Sequence, residues 1–337
     1  MDLVPSPERL GAAAANVWDA VFKGGLADLR RTSASIIDEA PKRTIYRYHA
    51  RDDRPPAALP VLLVGPPAAP TSSFDLRRGC SMVEHLLAGG HPTYVLDYGH
   101  SALSDKDLGL EHWVGDVVPS AIRRVSEDSG GRPVQVVGWC LGGIMSLLAA
   151  AADPALPVNS IAMVASPFDF RQVRIMSPVD RGAQLTSFIT KPIGVIAHLD
   201  DRDWLAHVEA VDHFLAEMRD YPGLAMPQLY HRFFRVNELA GGALRLSDRT
   251  IDLASVRLPV MSIAGNSDTL ASRAAVHAVG GLLPHTRQIR LETAPGGHLG
   301  VLTGRHAQRT TWAFLDDFLA EHAAPAARRH RHLRVVA

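Results

Sequence analysis

Short apolar runs recur along the chain, separated by stretches with helical spacing. Pro60 to Val64 is wholly apolar, as expected of a strand buried on both faces. Thr44 to His49 alternates like a half-buried strand, and Thr93 to Asp97, Val134 to Val137, Ser160 to Val164 and Pro259 to Ala264 are further strand-like runs. Thr286 to Leu291 is the last candidate strand. Arg78 to Gly89, Leu110 to Glu127, Ile144 to Ala152 and Gln308 to Ala320 carry helical spacing between and after them. Such alternation predicts an α/β protein with a mostly parallel sheet, right-handed crossovers and helices on both faces. The pattern breaks from Phe168 to Leu258, where aromatics, charges and helical spacing continue without a clear strand. Residues 41–167 and 259–322 are therefore expected to form the core, and 168–258 a helical cap inserted into it. Residues 1–40 read as a helical preamble and 323–337 as a basic, disordered tail.

Composition changes this picture little. The chain has 337 residues, 47% hydrophobic and 21% charged, with a formal net charge of zero. That balance argues against a nucleic-acid partner. Two cysteines, Cys80 and Cys140, are too few for a disulfide-stapled secreted domain, so a cytoplasmic location is expected. Asp2, Glu8, Arg9 and Asp19 break up the N-terminal region, and no signal peptide is expected. Pro133 to Ala152 is apolar and long enough to span a bilayer, but its β-branched start and internal glycines read as a buried strand, a turn and a buried helix. No transmembrane segment is expected.

The turn inside that stretch carries the chemistry. In Gly138-Trp139-Cys140-Leu141-Gly142-Gly143, small residues stand two before and two after Cys140. At a strand-to-helix junction this spacing lets strand and helix meet without collision and projects Cys140 from the sheet edge at a helix N-terminus, where the dipole favours thiolate. Cys80 has no such frame and reads as a packing residue. The Leu141 N–H is placed to meet a developing oxyanion. A second donor is expected from the loop after the first core strand. Pro66 and Pro67 have no N–H, which leaves Ala68 or Ala69, with Ala68 preferred. A base is expected on a late loop, and His298 lies in Pro295-Gly296-Gly297-His298-Leu299-Gly300. Asp268 follows the strand after the insertion and is the candidate acid. Asp97, at a strand end on the same edge, and Trp139 are candidate substrate-binding residues, and Asp97 is the fallback acid. No phosphate loop, His-Glu-x-x-His or Cys-x-x-Cys motif is present, and no metal is expected. The order Cys140, Asp268, His298 resembles the nucleophile–acid–base order of the α/β-hydrolase fold.

These motifs together resemble the polyhydroxyalkanoate synthases, in particular their short, two-subunit kind. The Cys140 box is similar to that family's variant lipase box, and Pro295 to Gly300 to its His loop. Pro66-Pro67 with Phe74 to Arg77, Tyr94 to Gly99, Val164 to Phe170 and Asn237 to Gly242 are softer similarities. The chain departs from the pattern at Thr269, where the family carries His after its Asp, and at Tyr98, where it carries Trp. The resemblance implies an acyltransferase that moves 3-hydroxyacyl groups from CoA to Cys140 and then to a hydroxyl acceptor or polyester chain. It implies acyl-CoA as substrate and no dissociable cofactor. A small helical partner subunit, a homodimer and a polyester-granule location are compatible with it. A cysteine hydrolase with water as acceptor and a non-catalytic scaffold are the alternatives. A thiol favours transfer, because thioester exchange with acyl-CoA keeps the acyl group activated.

Overall fold

The structure is a computed structural model that describes residues 6–50, 58–173, 195–221, 223–247 and 249–323. The expected tail beyond residue 323, residues 51–57 of the Pro-rich loop and residues 174–194 of the expected cap lie outside it.

Eight strands form one sheet: β1 (Ala34–Ala40), β2 (Arg43–Tyr48), β3 (Val61–Val64), β4 (Thr93–Asp97), β5 (Val134–Trp139), β6 (Val158–Val164), β7 (Val260–Gly265) and β8 (Ile289–Ala294). Their spatial order is β1-β2-β4-β3-β5-β6-β7-β8. β2 runs antiparallel to both its neighbours, and every other pair is parallel. This is an α/β-hydrolase sheet. Successive side chains of a strand point to opposite faces. Leu62 and Val64 accordingly enter one core cluster and Val61 and Leu63 the other, and Ile161 and Met163 divide from Ala162 and Val164 in the same way. Both faces are buried, which is why these strands read as unbroken apolar runs. Helices α3 (Val118–Asp128) and α4 (Leu141–Ala152) cover the first face; α2 (Met82–Ala88) and α6 (Thr311–Glu321) cover the second.

The departures from expectation have local causes. The first forty residues are not all helical: α1 (Pro7–Phe22), capped by the Ser6 side chain on Arg9 N–H, is followed by strand β1. Pairing with β2 overrides the weak strand propensity of its alanine and acidic residues. Helix α2 starts at Met82 rather than Arg78, because Cys80–Ser81 pairs with Asp75–Arg77 and the Ser81 hydroxyl caps the helix through Glu84 N–H at 3.1 Å. The segment from Leu110 passes through a π turn, Trp113–Val117, just before Pro119, which has no N–H to give. β8 lies three residues later than expected, since its parallel register with β7 extends through the polar Glu292 and Thr293. The insertion after β6 contains α5 (Arg202–Ala216) and also an unexpected two-stranded ribbon, Ala243–Leu246 with Arg249–Asp252.

The β5–α4 junction is the tightest approach in the core. A Cβ on Gly138 would lie 2.3 Å from Gly143 Cα, and one on Gly142 would lie 2.1 Å from Val64 O. Both obstacles are backbone and cannot yield without moving β3 or α4. Gly142→Ala should therefore destabilise the fold by about 1–3 kcal/mol or more, measured by denaturant unfolding. An unchanged midpoint would show that the junction has slack.

Candidate active site

Cys140 sits between β5 and α4 with φ 53° and ψ −123°, a backbone conformation that costs a non-glycine residue about 1–3 kcal/mol. Tertiary bonds hold it there. Cys140 N–H donates to Val164 O at 2.9 Å, and the Ser166 hydroxyl donates to Cys140 O at 2.7 Å. The residue before the helix thus points its side chain out of the sheet edge instead of along the helix.

Asp268 and His298 meet on that edge. Asp268 Oδ2 lies 2.8 Å from His298 Nδ1, and Asp268 Oδ1 accepts Leu270 N–H and Ala271 N–H, each at 2.8 Å. The Asp268 side chain is fully buried, so these bonds satisfy a carboxylate that water cannot reach. The two loops are stitched together by Asn266 N–H to Ala294 O (2.9 Å) and Ser267 N–H to Gly296 O (3.2 Å). Gly296 has φ +131° and would clash with Gly300 if it carried a Cβ, so glycine is required at that turn. Thr269, where the sequence departs from the family pattern, is exposed.

With Nδ1 on Asp268, the other ring nitrogen of His298 is left for Cys140, which lines the same cavity. Burial works to lower the His298 pKa, but Cys140 and the Asp268 carboxylate outweigh it and raise it to about 10. Cys80, by contrast, is buried against Thr303 O at 2.8 Å, and burial pushes its thiol up to about 11.

The remaining sequence candidates divide. Leu141 N–H and Ala68 N–H are bonded to no backbone carbonyl among the described residues, whereas Ala69 N–H is spent on Pro66 O at 2.9 Å. Trp139 does not line the cavity beside Cys140. Its indole N–H donates to His298 O at 3.1 Å, and its ring lies 5.4 Å from the His298 ring. Asp97 is not in the cavity either. Its carboxylate pairs with the Arg219 guanidinium, while Arg219 N–H donates to Ala68 O at 2.8 Å. Asp97 is thus a structural anchor, since a carboxylate at a strand end is better satisfied by a nearby cation than left facing hydrocarbon. Arg219, Ser166 and Tyr221 were missed by sequence reasoning. They lie in or beside the insertion, and no local spacing marks them.

A cavity of about 610 Å³ opens beside Cys140 and His298, lined mainly by hydrocarbon from α4, from the segment around Phe170 and from residues 221–234. No group of three or more metal-ligating side chains exists among the described residues, and no described helix is long and apolar enough to cross a membrane.

No family model matches the chain. Curated relatives do. A poly(3-hydroxyalkanoate) polymerase subunit PhaC from Synechocystis sp. is 24% identical, over 86% of this chain and 85% of its own. The subunit of the same name from Allochromatium vinosum is 25% identical over 88% and 93%. The chain is related to the polyhydroxyalkanoate synthases. Solved structures share the fold: mouse alpha/beta hydrolase domain-containing protein 10 (TM-score 0.50, 15% identity, 86% of this chain and 99% of that one) and a bacterial membrane phospholipase A (TM-score 0.51, 16% identity, 92% and 96%). At such identities they speak for the fold and not for the chemistry.

The raised His298 pKa yields a pH prediction. Removing an anion from beside an imidazolium favours the neutral ring, so Cys140→Ala should lower the His298 pKa and Asp268→Asn should lower it too. Ring ¹⁵N NMR should find His298 protonated through neutral pH in the wild type and titrating lower in both variants. An identical titration in Cys140→Ala would mean that ring and sulfur are not coupled.

Proposed function

We propose that the chain is an acyltransferase of the polyhydroxyalkanoate synthase type, with Cys140 as nucleophile, His298 as base and Asp268 as the residue that orients and charges His298. The observation that carries this reading is a cysteine, in place of serine, at the strained strand–helix turn beside an Asp-His pair. The poly(3-hydroxyalkanoate) polymerase relatives, matched over most of their length, support the substrate class.

In the first half-reaction the Cys140 sulfur, its proton held by His298, attacks the carbonyl carbon of a 3-hydroxyacyl-CoA. The carbonyl oxygen gains charge and is met by Leu141 N–H and Ala68 N–H. The bond from carbon to the CoA sulfur breaks, CoA takes the proton from His298, and a thioester remains on Cys140. In the second half-reaction a hydroxyl attacks that thioester, His298 takes its proton, an ester forms, and Cys140 is released. Asp268 fixes the ring through Nδ1 and stabilises the imidazolium in both halves. The chemistry needs no dissociable cofactor. A small helical partner subunit, a homodimer and a polyester-granule location belong to the same proposal and follow from the resemblance alone.

The residues should behave as one unit in kinetics. With 3-hydroxybutyryl-CoA, Cys140→Ala should abolish CoA release and His298→Ala should lower its rate by roughly 10³-fold or more. Asp268→Asn should lose less, because a hydrogen bond survives without the charge. Cys80→Ala should keep its rate. A Cys140→Ala protein that still turns over acyl-CoA would end the proposal, and CoA release with free acid but no ester product would shift it to the hydrolase reading.

A further inference from the structure

The cavity beside Cys140 offers a substrate very few polar contacts. Ile144, Phe170, Leu229, Phe233 and Leu270 typify its walls. Among the described residues, only four lining side chains bring a hydroxyl, thiol or ring nitrogen: Cys140, His298, Tyr221 and Tyr230. The first two are occupied by the bond-making steps. Tyr230 is 44% exposed, whereas Tyr221 is more deeply set and packs edge-on against Trp113, with ring centroids 6.4 Å apart. Its hydroxyl makes no hydrogen bond to any described residue. Tyr221 and Cys140 line the same cavity, and burial, then the charge of Cys140, push the phenol pKa upward, which keeps the O–H protonated. Two residues earlier, Arg219 ties the same segment to Asp97 and to the Ala68 carbonyl. The segment that carries Tyr221 is therefore held beside the loop after β3 that contains Ala68.

We propose that Tyr221 forms a hydroxyl subsite, its phenol O–H bonding the hydroxyl of a 3-hydroxyacyl group carried on Cys140, so that the protein selects hydroxylated acyl thioesters over plain ones. This rests on the acyl-transfer reading and adds to it the residue that recognises the substrate. A hydroxyl brought into hydrocarbon without a partner is strongly disfavoured. A site built around a substrate hydroxyl in turn rejects the analogue that lacks it, because the protein's own polar group is then left unpaired. A phenol can both donate to and accept from such a hydroxyl.

The test is the second-order rate of CoA release in a single turnover, with the full chain in excess over 3-hydroxybutyryl-CoA or over butyryl-CoA. Single turnover is needed because butyryl-enzyme has no hydroxyl with which to continue. The wild type should favour the hydroxylated substrate by about tenfold or more, and Tyr221→Phe should lose about tenfold of that ratio. Tyr230→Phe should retain the ratio. Equal rates in the wild type, or an unchanged ratio in Tyr221→Phe, would overturn the subsite. A wild type that shows the ratio but goes on to release free acid instead of ester upholds the subsite while failing the transfer reading.

Discussion

Two side chains that are absent, at Gly138 and Gly142, set the conditions for everything at the sheet edge. Without them β5 and α4 close to backbone contact, and α4 comes against the carbonyl of Val64. That closeness forces Cys140 into a positive φ, and the bonds from Ser166 and to Val164 keep it there. The strain sets the backbone of Cys140, the proposed nucleophile, at the sheet edge. It also places the Leu141 N–H, bonded to no backbone carbonyl among the described residues, one residue beyond Cys140 at the start of a helix. The loop from β3 that carries Ala68 begins at the strand whose carbonyl Gly142 touches, so both oxyanion candidates share one rigid reference.

Around that point the protein manages charge in a dry setting. The Asp268 carboxylate is wholly buried yet fully bonded, by two backbone N–H groups and His298. Removing any one of these partners would leave a desolvated charge, which is far more costly than never burying it. Asp97 and Arg219 repeat the solution at lower burial, and there the pair joins the insertion to the end of β4, while Arg219 N–H bonds Ala68 O in the loop after β3. Trp139 connects the two regions, because it holds the His298 backbone and packs its ring near Phe214 of α5, with centroids 6.1 Å apart. Apart from Cys140, His298, Tyr221 and Tyr230, the described lining of the cavity is hydrocarbon, which suits an acyl chain.

The sequence was most readable where one local rule decided the outcome. The central strands are buried on both faces, so they announced themselves as apolar runs. The Cys140 turn was readable because close packing there allows only glycine at two fixed positions. Edge elements were harder. β1 is mostly exposed and β8 half-buried, and their bounds depend on strand pairing, which local propensity does not contain. The ribbon at Ala243–Leu246 does alternate, with Leu244 and Leu246 buried, but the helical spacing of its surroundings hid it. Asp97 and Trp139 stand at the predicted edge, yet their contacts come from Arg219 and from the His298 backbone. Position on an edge was legible from sequence; the partner across a fold was not.

The central claim is that an acyl group becomes covalently attached to the Cys140 sulfur. Rapid acid quenching after mixing with 3-hydroxybutyryl-CoA, followed by mass spectrometry of proteolytic peptides, tests it directly. The account predicts a 3-hydroxybutyryl adduct on the peptide containing Cys140, absent from the Cys80 peptide, formed together with CoA release and removed by hydroxylamine as a thioester would be. CoA release with the Cys140 peptide unmodified at every quench time, or an adduct on another residue, would contradict it.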